Sequence, residues 1–253
     1  MMASTRTKIS LILGIIALGA VTVTIFTWNE IRDSRIKVGF SLSNLGHIPV
    51  QYADNNNLYR QAGIDAKFIE YENDVELANA LNQGKIDIAY CSIVPLIQIH
   101  ASAGPGNAGF VVVAGASVNG SAIMVNEFSG IENPLGLNGT NISIPVAGGL
   151  HELLLHEYLN GTLDVGLDIL NNETDDVNVS VLQAGDMPFS INGTSNPPFN
   201  AFVSWEIVCS VVTSGGFTGK YLVESGSILE NHTGDVIACS QEIMDNPRLR
   251  DMM

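Results

Sequence analysis

The apolar positions of this chain fall into one long run followed by many short ones. The long run, Ile9 to Trp28, carries no charge and follows Arg6 and Lys8. At about 1.5 Å of rise per residue it can cross a hydrocarbon layer of roughly 30 Å. The apolar core of a cleaved leader is usually shorter, about 7–15 residues. A basic flank stays on the cytoplasmic side. The pattern therefore predicts a cytoplasmic stub at 1–8, a membrane-spanning signal anchor at 9–28, a polar linker at 29–35 and everything beyond it outside the cytoplasm.

After the linker, strand-like and helix-like stretches alternate. Arg35 to Phe40 reads as a strand, and Gly46-His47-Ile48-Pro49 opens a helix with proline in its first turn. Ile64 to Tyr71 reads as a second strand. Asn73 with Glu76 three positions later is a capping pattern; Val75, Ala78 and Leu81 then share a helical face, and Gly84 stops the helix. Ile86 to Tyr90 is a short strand. Ser92 caps a helix with Pro95 in its first turn that reaches Ala103, and Phe110 to Ala116 reads as a buried strand. A second unit follows, with strands at Ala122 to Val125, Asn141 to Pro145, Val177 to Leu182, Phe199 to Ser204 and Asp235 to Ser240. Its helix spans about Leu150 to Asn160 and is closed by Gly161. Such alternation predicts an α/β fold with parallel pairing and right-handed crossovers. The expected organisation is lobe 1 at 36–118, lobe 2 at 119–236 and a return segment towards lobe 1 at 237–253. Between two such lobes lies a cleft, at the C-terminal ends of the strands.

Composition narrows the partners. The net charge is -15, with 26 acidic residues against 11 basic ones. That excludes the lysine and arginine clusters that nucleic acid rewards. Cys91, Cys209 and Cys239 are too scattered for a zinc pair and odd in number, so they read as small buried hydrophobes and not as a disulfide framework. Asn-x-Ser/Thr triplets begin at Asn119, Asn138, Asn141, Asn160, Asn172, Asn178, Asn192 and Asn231. Their density agrees with an exterior, glycosylated surface, and equally with an asparagine- and threonine-rich chain that carries no glycan.

His151 and His156 invite a metal reading. A zinc helix places its histidines four apart, on one face; these are five apart, about 140° around the helix. No metal and no cofactor is expected. Loops at strand ends are better candidates. Asn44, Gly46 and His47 lie between the first strand and a helix, where backbone N–H groups and donor side chains suit an anion. Cys91 and Ser92 hold the same place after the third strand, and Ser117 lies at the crossing between lobes. Ala147, Gly148, Gly149 and Leu150 form a small-residue turn that lets a ligand approach the backbone. Asp186 and Trp205 follow later strands.

Several segments together resemble a known family. Ala80-Leu81-Asn82-Gln83-Gly84-Lys85-Ile86-Asp87-Ile88-Ala89 looks like the "ALxxGxIDxA" signature of nitrate/sulfonate/taurine-type solute-binding proteins. Asn57 to Ile64 resembles their "GLFxxxGL" segment. Asn141 to Pro145 and the helix after it resemble "xIAVPxGSxxxxLLxxxL". Val203-Ser204-Trp205-Glu206 resembles "xWEP" with Ile207 in place of proline, and Val236 to Pro247 resembles "VLVxSxEFxxxxP". The segment Pro188 to Asn200 is shorter and more irregular than its counterpart. Members usually continue for several helices beyond the last motif, so a truncated first lobe is expected. The resemblance implies a type 2 periplasmic-binding-protein fold. It also implies a monomeric, non-enzymatic binder of a small solute, such as a nitrate-, sulfonate- or taurine-like anion, that delivers it to an ABC permease in the membrane. Enzymes of thiamine-pyrimidine-precursor and menaquinone pathways share this fold, but the cysteine-rich motif of the former is missing. A glycosylated surface sensor that kept the fold without transport is the other alternative.

Overall fold

The computed structural model describes residues 35–41, 44–104, 106–165, 176–194, 198–214 and 216–247. The expected anchor at 9–28, most of the linker and the Asn172 triplet lie outside the described residues. Among the described residues, no helix is long and apolar enough to cross a membrane.

The first unit contains β1 (Ile36–Ser41), a 3-10 turn (Leu45–His47), α1 (Ile48–Asn55), α2 (Leu58–Gln61), β2 (Ala66–Tyr71), α3 (Asp74–Asn82), β3 (Ile88–Ser92), α4 (Ile93–Ala103) and β4 (Phe110–Gly115). The second contains β5 (Ser121–Asn126), β6 (Asn141–Ile144), α5 (Leu150–Leu159), β7 (Asn178–Val181), α6 (Met187–Phe189), β8 (Ala201–Trp205), α7 (Glu206–Ser214), β9 (Gly219–Glu224) and α8 (Ser225–Ile228). The chain then returns through β10 (Asp235–Ser240) and α9 (Gln241–Asp245). Two five-stranded sheets result, ordered β2-β1-β3-β10-β4 and β7-β6-β8-β5-β9. The return strand therefore lies inside the first sheet, between β3 and β4.

Local chemistry explains most boundaries. The Asn73 side chain accepts the Glu76 N–H at 2.9 Å and starts α3. Leu77, Ala78 and Leu81 then pack, fully buried, under the first sheet, while Val75 is only half-buried. Gly84 ends the segment in the left-handed region, at φ 67°. In α5, Leu154, Leu155 and Leu159 are fully buried.

Two expectations need correction. Pairing is not parallel throughout. β1 pairs in parallel with β2 and β3, and β6 with β7 and β8, but β10 is antiparallel to β3 and β4, and β5 to β8 and β9. The strands that cross between lobes enter each sheet from the opposite end, which a helix-strand alternation does not reveal. The stretch at Phe110 is also not a buried strand: Val111, Val112 and Val113 are exposed, because β4 is the edge of its sheet.

Two chain crossings join the lobes and pair with each other. Ala116 N–H donates to Asp235 O at 2.8 Å, Gly234 N–H to Ser117 O at 3.2 Å and Asn119 N–H to His232 O at 3.0 Å. Val118 and Thr233 form an antiparallel bridge between these bonds. The hinge is thus a short two-stranded ribbon. A small apolar cluster also spans the lobes: Val94 of α4 packs with Leu150 and Leu154 of α5.

Candidate functional site

A cleft of about 440 Å³ opens between the lobes above the hinge. That lies within the 300–1,000 Å³ typical of small-molecule sites (~). The first lobe contributes Gly46, Ile48, Asp74 and Ser92; the second contributes Gly149, Leu150, His151, Trp205 and Glu206; the hinge contributes Ser117, Asn119 and Asp235.

Of the residues singled out in the sequence, Gly46, Ser92, Ser117, Gly149, Leu150 and Trp205 line this cleft. Asn44 and His47 lie buried beneath it and bond or approach its floor. Cys91 is buried and its thiol donates to the backbone oxygen of Asp74 at 3.3 Å. Ala147, Gly148 and Asp186 are not among the cleft-lining residues. The Gly148 turn folds away: its N–H donates to the Glu152 carboxylate at 2.7 Å, and its α-carbon faces Gln98 of α4. Asp186 is exposed at the start of α6. The sequence reading missed Asp74, Ser121, His151 as a cleft residue, and Asp235. Their signal was position: Ser121 and Asp235 open strands, and Asp74 and His151 lie in the first turns of helices that follow strands.

The floor is a buried polar cluster. Asn44 donates its amide hydrogens to Asp74 Oδ2 at 3.0 Å and Asp235 Oδ1 at 2.8 Å. Its Oδ1 accepts the Gly46 N–H at 2.9 Å, which fixes the amide's orientation. Ser117 Oγ donates to Asp235 Oδ2 at 3.0 Å and accepts the Asp235 N–H at 2.8 Å. His47, fully buried, accepts the Ser41 N–H on Nδ1 at 2.9 Å. Nδ1 therefore carries no proton, and the ring proton sits on Nε2, 3.5 Å from Asp74 Oδ1 and 3.9 Å from Asp235 Oδ1. Burial raises the Asp74 carboxyl above its ordinary range; the Asp235 carboxylate adds to this, while the nearby imidazole and the Asn44 and Ser92 donors oppose it.

One ligand atom from each of His47, Asp74 and Asp235 lies within 4.8 Å of the others, close enough to share a cation. The hydrogen bond to Nδ1 argues against a metal there. Coordination through Nε2 needs a free lone pair on that atom, hence a proton on Nδ1, which would point at the Ser41 N–H.

The other half of the cleft holds His151, whose Nε2 lies 3.3 Å from Ser121 Oγ and whose ring meets Trp205 edge-on, with centroids 4.5 Å apart. A serine beside a histidine is the beginning of a nucleophilic couple. Here burial, helped by His232, pushes the imidazole down to about 3. A base that weak does not activate a hydroxyl at neutral pH. Cys91 is no better as a nucleophile, since burial, Asp74 and Asp235 hold its thiol well above the usual range. His156, the second helix histidine, contacts Glu157 at 3.3 Å and does not reach the cleft. The two histidines thus face different surroundings, as their spacing requires.

Two open-faced α/β lobes, a paired hinge and a polar-floored cleft between them define a type 2 periplasmic-binding-protein fold. Solved structures agree. The alkanesulfonate-binding protein SsuA from Xanthomonas axonopodis pv. citri, bound to MOPS, superposes with a TM-score of 0.64 at 18% identity, covering 86% of this chain and 70% of that one. The periplasmic nitrate-binding protein NrtA from Synechocystis PCC 6803 gives 0.65 at 15% identity, covering 87% of this chain and 59% of that one. A ligand-binding component of an ABC-type import system from Staphylococcus aureus, solved with zinc bound, gives 0.61 at 17% identity, covering 86% and 70%. The chain belongs to the NMT1-like family, whose model matches residues 30–251. No curated protein matches it in sequence.

Proposed function

We propose that this chain is the solute-binding component of an ABC importer, held outside the cytoplasm by the apolar segment at 9–28, and that it captures a small solute by closing its two lobes. The observation that carries this reading is the make-up of the cleft. Its walls come from both lobes, and its floor, Ser117 and Asp235, belongs to the hinge ribbon itself. A solute touching Asp235 therefore touches the element whose geometry changes on closure. Ligand contacts made only in the closed state shift the population towards it, and the closed form is the one a permease would recognise. The sulfonate- and nitrate-binding proteins of the same fold support an import role. The weak basicity of His151 and the protonated state of Cys91 favour binding over catalysis.

Glycosylation enters as a secondary proposal. Asn138, Asn160, Asn178, Asn192 and Asn231 are exposed. Asn119 lines the cleft with its Oδ1 buried, so a glycan there would fill the site.

The test is a thermal-shift panel on the full chain with sulfonates, nitrate, bicarbonate, amines and pyrimidines. A solute that binds the folded state stabilises it by about 2.7 kcal/mol at a hundredfold excess over Kd. One class of solute should raise the melting temperature in a saturable way. A flat response to the entire panel would contradict the proposal.

A further inference from the structure

We propose, resting on that binding role, that the cleft takes a small organic cation bearing a protonated amine, held by Asp74 and Asp235, and not a simple oxyanion. Three independent features point this way.

The first is charge. Two acids, Asp74 and Asp235, meet at the floor of the cleft and both accept from the Asn44 amide, with Ser117 Oγ as a further donor to Asp235. His47 can turn only its Nε2 towards the two acids, because its Nδ1 is committed to the Ser41 N–H. Glu206 adds a further acid to the cleft wall. Among the described residues, no lysine or arginine lines the cleft. An oxyanion entering here would meet like charge in a desolvated place, where repulsion is least screened.

The second is the state of the helix starts, which ordinarily welcome anions. Near three of these starts one N–H is already engaged. The Gly46 N–H is held by Asn44 Oδ1, the Ile93 N–H by Gly234 O at 3.0 Å, and the Gly148 N–H by the buried Glu152 carboxylate.

The third is the set of polar atoms left without partners. Ser92 Oγ and Asn119 Oδ1 are buried without hydrogen-bond partners on cleft-lining residues, and Asp74 Oδ1 has only the similarly unpartnered His47 Nε2 at 3.5 Å; Asp74 and Ser92 are only 4% and 5% exposed. Of these atoms Asn119 Oδ1 can only accept, and the other two can do so. Unpaired acceptors call for a ligand rich in donors, and an ammonium group supplies three without accepting any. Trp205, Leu150, Ile48 and Ile207 give the remainder of the cleft an apolar wall for the body of such a molecule.

The experiment compares two sets of probes on the full chain by thermal shift. One set contains ethanolamine, putrescine, agmatine and benzylamine; the other contains nitrate, bicarbonate, methanesulfonate and benzenesulfonate. At least one amine should stabilise the protein, and no oxyanion should. The strongest amine is then titrated by calorimetry into the wild type, Asp235→Asn, Asp74→Asn and a His156→Ala control. Each acid variant should bind at least tenfold more weakly, and the control should match the wild type. Two acid variants guard against one failing to fold, which circular dichroism would reveal. Stabilisation by an oxyanion and by no amine would overturn the cation assignment and leave the binding role standing. Amine binding unchanged in both folded acid variants would overturn it as well. No response to either set would overturn the cation assignment, and if the wider panel of sulfonates, amines and pyrimidines also failed, the binding role would fall with it.

Discussion

Asn44 donates to two carboxylates that would otherwise face each other with nothing between them, and His47 closes the same cluster from below. Only part of this was legible in the sequence. Asn44 and His47 stood out because they sit between a strand and a helix start. Asp74 hid inside a capping segment, and Asp235 looked like the first residue of a strand. Neither position announces that two residues so far apart in sequence share one amide. Gly46 and Gly148 looked like free anion donors, but the Asn44 and Glu152 side chains occupy their N–H groups. Side-chain capping across a loop does not show in residue spacing.

His151 yields a pH prediction at the same scale. Its folded pKa is lowered from 6.5 to about 3 by burial and His232. Below pH 6.5 the unfolded chain takes up a proton that the folded chain refuses. Stability from this group is therefore complete above 6.5 and lost as pH falls towards 3, by up to about 1.4 kcal/mol per pH unit. Asp74 acts in the opposite sense, because a raised carboxyl pKa makes the folded chain the better proton acceptor. Urea unfolding at pH 7 and pH 5 should show the wild type losing about 2 kcal/mol more than His151→Phe. Parallel losses in the two proteins would contradict the assignment.

At the scale of elements, the sequence was most informative where local chemistry sets a boundary. The Asn73 cap, the stop at Gly84 and the helix from Leu150 all lie where the pattern placed them. Replacing Asn73 by Ala removes the acceptor for the Glu76 N–H and should cost about 1 kcal/mol, measured by chemical denaturation. An unchanged midpoint would mean that water replaces the cap without loss. Leu81→Ala removes a fully buried side chain from the first lobe and should cost about 2–5 kcal/mol. Long-range strand order was not legible. An apolar run such as Phe110 to Ala116 reads alike in the middle of a sheet and at its edge, and only the placement of β10 makes β4 an edge. The strand β9 and the helix α7 were also missed, although Val208, Cys209 and Val212 mark one face of that helix.

At the scale of the whole molecule, the strand–helix alternation already placed two α/β units with a cleft between them, and the family resemblance added the expectation of a solute binder. The described lobes touch through Val94, Leu150 and Leu154, an apolar seam that would hold the proposed closed state together with the ligand. Membrane topology is tested on intact cells. External protease should digest the domain, and full protection would contradict an anchor that leaves it outside.

The central claim is that the cleft between the lobes binds one solute. Calorimetric titration of the full chain with the best stabilising solute, repeated on Trp205→Ala, tests it most directly. The account predicts one site per chain in the wild type. It also predicts at least tenfold weaker binding, about 1.4 kcal/mol, when the indole is removed from the cleft wall. A titration with no saturable heat, or one in which the Trp205 variant binds as tightly as the wild type, would contradict it.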